Sequence, residues 1–396
     1  MKILMLLENE FPPDERVEKE IDTLKEMGNE IHLACYTKEN RQAREEHDGL
    51  IIHRMRLTRL LYKLSALILI IPIYKNRWYR FVHKLYKSFN YDVIHIHDLP
   101  LSMVGLKLKS KYGLQVVCDQ HELYSNWIID TAHYNTLAGK IIKSLSNWEK
   151  FENKALHLAD AILTVEEPLK ATYLKRYNLP EKKIFVLPNT PSKRLFNYSR
   201  VDVTAFPHYR DQFVLLYLGG IDILRGIDFI IQSIPLIVNR IPEFKFVLAG
   251  TIKKGYDPFK TSNKLGVKKY VDYLGCLNRA RLPSLISVSD LGVFTPRSDR
   301  DEINRTIATK NYQFLVMNKP IIVGSAKYMK EFTEKNQIGM SVNEYDPEDI
   351  NEKISAYYSD LKLREGLINN CKKISSKYFW EYSSASLKDC YKLLLS

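Results

Sequence analysis

The residues of this chain best suited to chemistry are an arginine in a glycine-rich turn, a lysine heading a helix, and two histidine–acid pairs at strand ends. The apolar run 214–218 leads into Gly219-Gly220-Ile221-Asp222-Ile223-Leu224-Arg225-Gly226, after which helical periodicity begins. Glycines let backbone approach a ligand, a helix N-terminus presents free N–H groups, and Arg225 adds a fixed positive charge. The turn therefore has the makings of a diphosphate cradle, although an incidental arginine in a plain strand-to-helix turn reads the same in isolation. Further on, 308–323 gives a short helix with Lys310 and Gln313, a turn at Asn318-Lys319-Pro320 and a buried strand. In the first half, Asp92-Val93-Ile94-His95-Ile96-His97-Asp98 and Asp119-Gln120-His121-Glu122-Leu123 both close strands. Ligands of open α/β sheets bind beyond the carboxyl ends of strands, which favours a site role for His97 and Asp98. His95 is expected on the neighbouring face, with a structural role. His121 and Glu122 could line a pocket or brace the strand end.

The elements that must position these residues alternate along the chain. Strand-length apolar runs fall at 3–7, 31–35, 93–96, 114–118, 161–165 and 183–187, and a helix with Val17, Ile21, Leu24 and Met27 on one face stops at Gly28. A polar stretch from Asn189 to Tyr209, with Pro191 and Pro207, lacks periodicity. The pattern restarts at 213–218 and continues at 244–249, 270–274, 291–295, 320–323 and 338–342. Such alternation predicts an α/β protein of two doubly wound, Rossmann-like domains facing a cleft. Expected bounds are 1–190 for the first domain, 191–212 for a linker and 213–370 for the second, with a C-terminal helix in 371–396 packing back toward the first. A chain of 396 residues exceeds what one hydrophobic core serves, so two domains agree with its length.

Composition narrows the partners. With 45% hydrophobic and 27% charged residues the chain is ordinarily globular, and its net charge of +13 favours an anionic partner. Five widely spaced cysteines read as reduced thiols in a cytoplasmic protein. The first eight residues read as a strand rather than a signal peptide.

Taken together these segments resemble the retaining GT-B glycosyltransferases of family 4 and its relatives. Ala308 to Val323 is similar to that family's Lys-x-x-Glu-Tyr, Gly-Lys-Pro and valine-rich strand, and Val186-Leu187-Pro188-Asn189 to its Pro-Asn turn. The loop from Gly219 to Gly226 is similar to its phosphate loop. The strand ends at His97 and at His121-Glu122, and the helix start Pro12-Pro13-Asp14-Glu15-Arg16, resemble its first-domain motifs. The resemblance implies a nucleotide-sugar donor held mainly by the second domain, through Gly219, Gly220, Arg225, Gly226 and Lys310. Arg225 would stabilise the leaving diphosphate and His97 the transferred sugar. Asp98, His121, Glu122 and Arg16 would form a candidate acceptor pocket. No metal and no cofactor is expected, because fixed cations and helix N-termini supply the charge. Asp299-Arg300-Asp301 imitates an Asp-x-Asp metal motif, but Arg297 and Arg300 oppose a cation there.

The sequence departs from the family at two acidic positions. Gln313 stands where a ribose-gripping glutamate is usual, and Arg305, with Glu302 and Asn304 nearby, stands where a sugar-facing one is usual. Arg305, Asn304 and Gln313 are nevertheless read as donor-binding. Residues 54–87 lack any acid and carry Arg54, Arg56, Arg59, Lys63, Lys75, Arg77, Arg80, Lys84 and Lys87 among apolar and aromatic residues. The uncharged run is too short to span a bilayer, so peripheral contact with an anionic membrane, at its inner face, is expected, with two ordinary packed helices as the alternative. The implied activity is sugar transfer to a glycan or lipid-linked acceptor in cell-surface polysaccharide synthesis. A nucleotide-sugar epimerase of the same fold and a degenerate scaffold are the competing readings, and nucleic acid is not an expected partner.

Overall fold

A computed structural model describes residues 1–128 and 144–395, which form two compact units: Met1–Pro188 with Ser384–Ser396, and Asn189–Ser383. In the first, β1 (Lys2–Leu6), β2 (Glu30–Thr37), β3 (Arg44–His47), β4 (Leu50–Arg56), β5 (Val93–His97), β6 (Gln115–Gln120), β7 (Ala161–Thr164) and β8 (Ile184–Val186) form one sheet, ordered β3-β4-β2-β1-β5-β6-β7-β8. Only β3, paired to β4, runs antiparallel. Strand order reverses between β1 and β5, so the switch-point crevice lies beyond the ends of those two strands. The helix Glu15–Glu26 starts where the Asp14 side chain accepts from the Val17 N–H, and it buries Val17, Ile21 and Leu24. Arg16 and Glu20 are buried too, one turn apart.

The second unit holds β9 (Phe213–Leu218), β10 (Phe244–Ala249), β11 (Val271–Tyr273), β12 (Leu291–Phe294), β13 (Ile321–Val323) and β14 (Gly339–Ser341), all parallel in the order β11-β10-β9-β12-β13-β14. Its switch point falls between β9 and β12.

Two expected bounds shift, while the C-terminal helix does belong with the first unit. Residues 191–212, expected as an interdomain linker, fall within the second unit, where Phe196, Phe206 and Tyr209 are buried in the core. The C-terminal stretch divides, with 371–383 in the second unit and only the helix Ala385–Leu393 in the first. The basic segment 54–87 opens inside a strand. Arg54 lies on β4 with its side chain fully buried, donating to the Phe11 carbonyl and paired with Glu45 at 2.6 Å. Its helix Pro72–Phe89 buries Tyr74, Trp78, Val82 and Leu85 as a helical stripe, as any packed helix does.

Candidate functional site

In the first unit the strand ends converge on Asp119. Its Oδ2 accepts from Arg16 Nε at 3.1 Å, His97 Nδ1 at 3.1 Å and His121 Nε2 at 2.7 Å, while Oδ1 accepts from Arg16 Nη2 at 2.7 Å. Burial alone would raise this carboxyl, but the adjoining Arg16 and His121 hold it well below the usual range. The same pairing acts back on His121. Burial opposes its protonation, yet Asp119, with Asp98 at 3.4 Å from Nδ1, lifts the ring to about 9. His121 is therefore a cation at neutral pH.

His97 is fully buried. Nδ1 faces a carboxylate and so carries a proton, and Nε2 has no partner among the described residues. His95 does not lie on the neighbouring face as expected. Residues two apart share a strand face, and the two imidazoles stack at 4.8 Å. The Tyr391 hydroxyl meets His95 Nδ1 at 2.9 Å, and Glu20 Oε2 lies 3.3 Å from its Nε2. Burial, with Asp119 adding, pushes Glu20 up to about 7.

Arg16, expected to line an acceptor pocket, is buried and spent on Asp119, Glu20 and the Leu187 carbonyl; it positions Asp119 instead. Asp98 and His121 do reach the surface, with 41% and 29% of their side chains exposed. Glu122 is partly buried, and its carbonyl accepts from the Tyr173 hydroxyl. Glu8, just past β1, was not legible as a site residue. Its Oε1 accepts from the Tyr74 hydroxyl at 2.8 Å, and burial lifts it to about 7, with Asp98 adding. Glu20, His95, His97 and Asp119 could together offer ligand atoms to a metal, all within 4.8 Å of one another. A cation there would sit against the Arg16 guanidinium, which already meets both carboxylates.

The second unit builds its site from the glycine turn. Gly219 and Gly226 have φ of +111° and +75°, and a Cβ at Gly226 would lie 1.7 Å from the Thr295 carbonyl oxygen. Gly250, which the sequence reading passed over, is as constrained: its Cβ would come within 1.8 Å of the Gly219 oxygen. Gly220 meets no such limit; its carbonyl accepts from the Tyr217 hydroxyl at 2.6 Å. Arg225 keeps 43% of its side chain exposed, its Nε 4.0 Å from Asp222. Lys310, in the first turn of the helix Thr309–Val316, donates to the Tyr217 hydroxyl at 3.1 Å. Burial, with Arg225 adding, holds its ammonium well below the usual lysine range. A cavity of about 260 Å³ brings Gly219, Lys310 and Gln313 together with Gly250, Cys276 and Leu277.

The neighbouring Asn304 and Arg305 behave differently. Asn304 is not placed to bind a donor, because its amide nitrogen donates to the Ser298 and Arg300 carbonyls and its oxygen accepts from the Lys327 N–H. Arg305 pairs with Asp301 at 2.8 Å through Nη2, while its buried Nη1 has no partner among the described residues.

Residues 16–190 match the family described as Glycosyltransferase Family 4, and 200–374 match Glycosyl transferases group 1. An uncharacterised glycosyltransferase of Methanocaldococcus jannaschii is 24% identical over 312 residues, covering 77% of this chain and 76% of that protein. The alpha-D-kanosaminyltransferase of Streptomyces kanamyceticus is 20% identical, over 66% of this chain and 67% of its own length. Among solved structures, sucrose-phosphate synthase from Thermosynechococcus elongatus superposes with a TM-score of 0.76 at 14% identity, covering 100% of this chain and 99% of that one. Anabaena HepE in complex with UDP gives 0.72 at 14%, covering 99% and 100%.

Proposed function

Since the chain belongs to the GT-B glycosyltransferases, with a family 4 first half and a group 1 second half, we propose that it moves a sugar from a nucleotide-sugar donor, of the uridine class, to a saccharide or lipid-linked acceptor with retention at the anomeric carbon. The observation that carries this reading is the half-exposed Arg225 beside a turn in which Gly219 and Gly226 hold positive φ and Gly226 has no room for a side chain. In this reading the second unit holds the donor. Arg225 and Lys310 take the charge of the departing diphosphate without a metal, and Gln313 meets the ribose through its amide. The first unit presents the acceptor. The His97 Nε2 lone pair accepts from a sugar hydroxyl, and Asp98 and His121 line the acceptor's approach. Similarity to HepE, solved with UDP, supports the choice of nucleotide.

Peripheral lipid contact in service of polysaccharide synthesis belongs to the same proposal, on a smaller surface than the sequence suggested. Leu60, Ile70 and Ile73 are more than half exposed and stand among the exposed Arg56, Arg59, Lys63 and Arg77. That pairing suits a shallow seat on anionic lipid. No helix among the described residues is long and apolar enough to cross a membrane.

The test is a panel of nucleotide-sugars scored for thermal stabilisation and slow hydrolysis. Stabilisation by uridine donors, with turnover abolished in a folded Arg225→Ala variant, is expected. Full turnover in that variant would refute the assignment.

A further inference from the structure

Lys310 is an unusual lysine. Its Nζ sits 4.3 Å from the Tyr217 ring centre and 4.2 Å from that of Phe294, and close enough to Gly219 that a Cβ there would come within 3.0 Å of it. Among the described residues it makes one hydrogen bond, to the Tyr217 hydroxyl, and pairs with no carboxylate. Tyr217 in turn donates to the Gly220 carbonyl, so a single phenol ties the lysine to the glycine turn. The tyrosine is 2% exposed and fixed in β9, which leaves its hydroxyl little freedom to be anything but this link.

We propose that Tyr217 is a positioning residue that holds the Lys310 ammonium against the Gly219–Gly220 turn for the donor's phosphates, and that donor binding draws a proton onto Lys310. This rests on the donor reading given above. A buried ammonium with one neutral acceptor is poorly compensated. The charged groups facing it are Arg225, which opposes protonation, and Asp222, which favours it but is shared with Arg225 at 4.0 Å and Lys253 at 3.9 Å. An arriving diphosphate supplies the missing negative charge and makes the protonated form the stable one. Tyr217 keeps Nζ in place in the meantime, since its oxygen can accept from either the ammonium or the amine.

The experiment has two readouts on the full chain. The first, without nucleotide, follows the Lys310 side-chain nitrogen by 15N NMR across pH, identified by its disappearance in Lys310→Arg. Tyr217→Phe keeps the ring and removes only the oxygen, so the amine should titrate at lower pH than in the wild type. The second is calorimetry with UDP at about pH 8.5 in Tris and in HEPES. Wild-type binding should take up a fraction of a proton, seen as a buffer-dependent heat, and Tyr217→Phe should weaken UDP about tenfold, as loss of a hydrogen bond to a charged group does. Unchanged titration together with unchanged UDP affinity in Tyr217→Phe overturns the positioning role, and buffer-independent heat in the wild type overturns the proton coupling. Failure of the wild type to bind UDP or any other nucleoside diphosphate overturns the donor reading instead, whatever the NMR titration shows.

Discussion

Replacing Asp119 with asparagine should remove both the anchor of the first unit's site and a specific alkaline sensitivity. The immediate cost follows from Arg16, whose buried guanidinium meets Asp119 at 2.7 and 3.1 Å and keeps Glu20 as its ion-pair partner among the described residues once the carboxylate is gone. Breaking a buried pair costs about 3–5 kcal/mol, and asparagine retains one acceptor, so the lower end, about 3 kcal/mol, is expected. The pH term comes from His121, held at about 9 in the folded protein. A histidine whose folded pKa is raised contributes stability that is complete below about 6.5 and is lost as pH rises through the folded value. The whole difference is about 3.4 kcal/mol, of which about 2 kcal/mol falls between about pH 7.5 and 9.5. With 29% of the His121 side chain exposed, solvent screening trims this to between about 1 and 2 kcal/mol. Glu8 and Glu20, near 7, are largely settled in that window, and Lys19, lowered to about 8 by burial, works in the opposite sense in both proteins. Urea unfolding at the two pH values, read through the buried Trp78 and Trp148, should show a smaller alkaline loss in Asp119→Asn than in the wild type. Equal losses, with His121 titrating unchanged by NMR, would refute the reasoning.

Other perturbations test separate parts of the structure. Gly250→Ala forces a Cβ to within 1.8 Å of the Gly219 oxygen at a φ of +153°, so it should cost about 1–3 kcal/mol and weaken UDP by displacing the turn, checked by melting and calorimetry. Cys276 is the exposed one of the five cysteines and lines the cavity with Lys310 and Gln313; iodoacetamide should label it first and block donor binding, and UDP should slow the labelling. Buried His53 is pushed down to about 4, by burial first and by His32 at 3.2 Å, so the unfolded chain protonates earlier as pH falls. Stability present above about 6.5 should therefore decline toward pH 4 by up to about 3 kcal/mol, and His53→Phe should flatten that decline in urea unfolding.

How much of this was legible depended on whether a signal was local. The apolar runs at 3–7 and 214–218, the first ended by Glu8 and the second by Gly219, gave β1 and β9 to within a residue, because a strand buried on both faces leaves a continuous apolar stretch. Strands β3 and β4 were missed because Arg44-Glu45-Glu46-His47 and the arginines at 54 and 56 break that stretch. Arg54 becomes tolerable inside only through Glu45 and the Phe11 carbonyl, partners that no window on the sequence displays. Arg16 was recognised as part of a motif but not as buried, since its counter-ion is 103 residues away. Gly250 and Tyr217 escaped for a related reason: each acts on the turn at 219–220 from a position that sequence alone reads as ordinary strand or strand end.

The distribution of charge within each unit argues for the division of labour better than the net charge of +13 does. In the first unit two carboxylates, Asp119 and Glu20, face two cations, Arg16 and His121, through contacts of 2.7 to 3.1 Å. An anion arriving there would find its counter-charges taken and would have to break buried pairs to use them. The first unit's unspent group is instead His97 Nε2, a buried ring nitrogen without a partner among the described residues. In the second unit the balance is incomplete. Arg225 lies 4.0 Å from Asp222 with much of its surface open, Lys310 pairs with no carboxylate among the described residues, and Gly219 and Gly226 leave the two ends of the turn without side chains. Phosphate charge completes that arrangement, whereas it would disrupt the other. The proposed assignment of diphosphate to one unit and hydroxyl chemistry to the other rests on which charges are already paired.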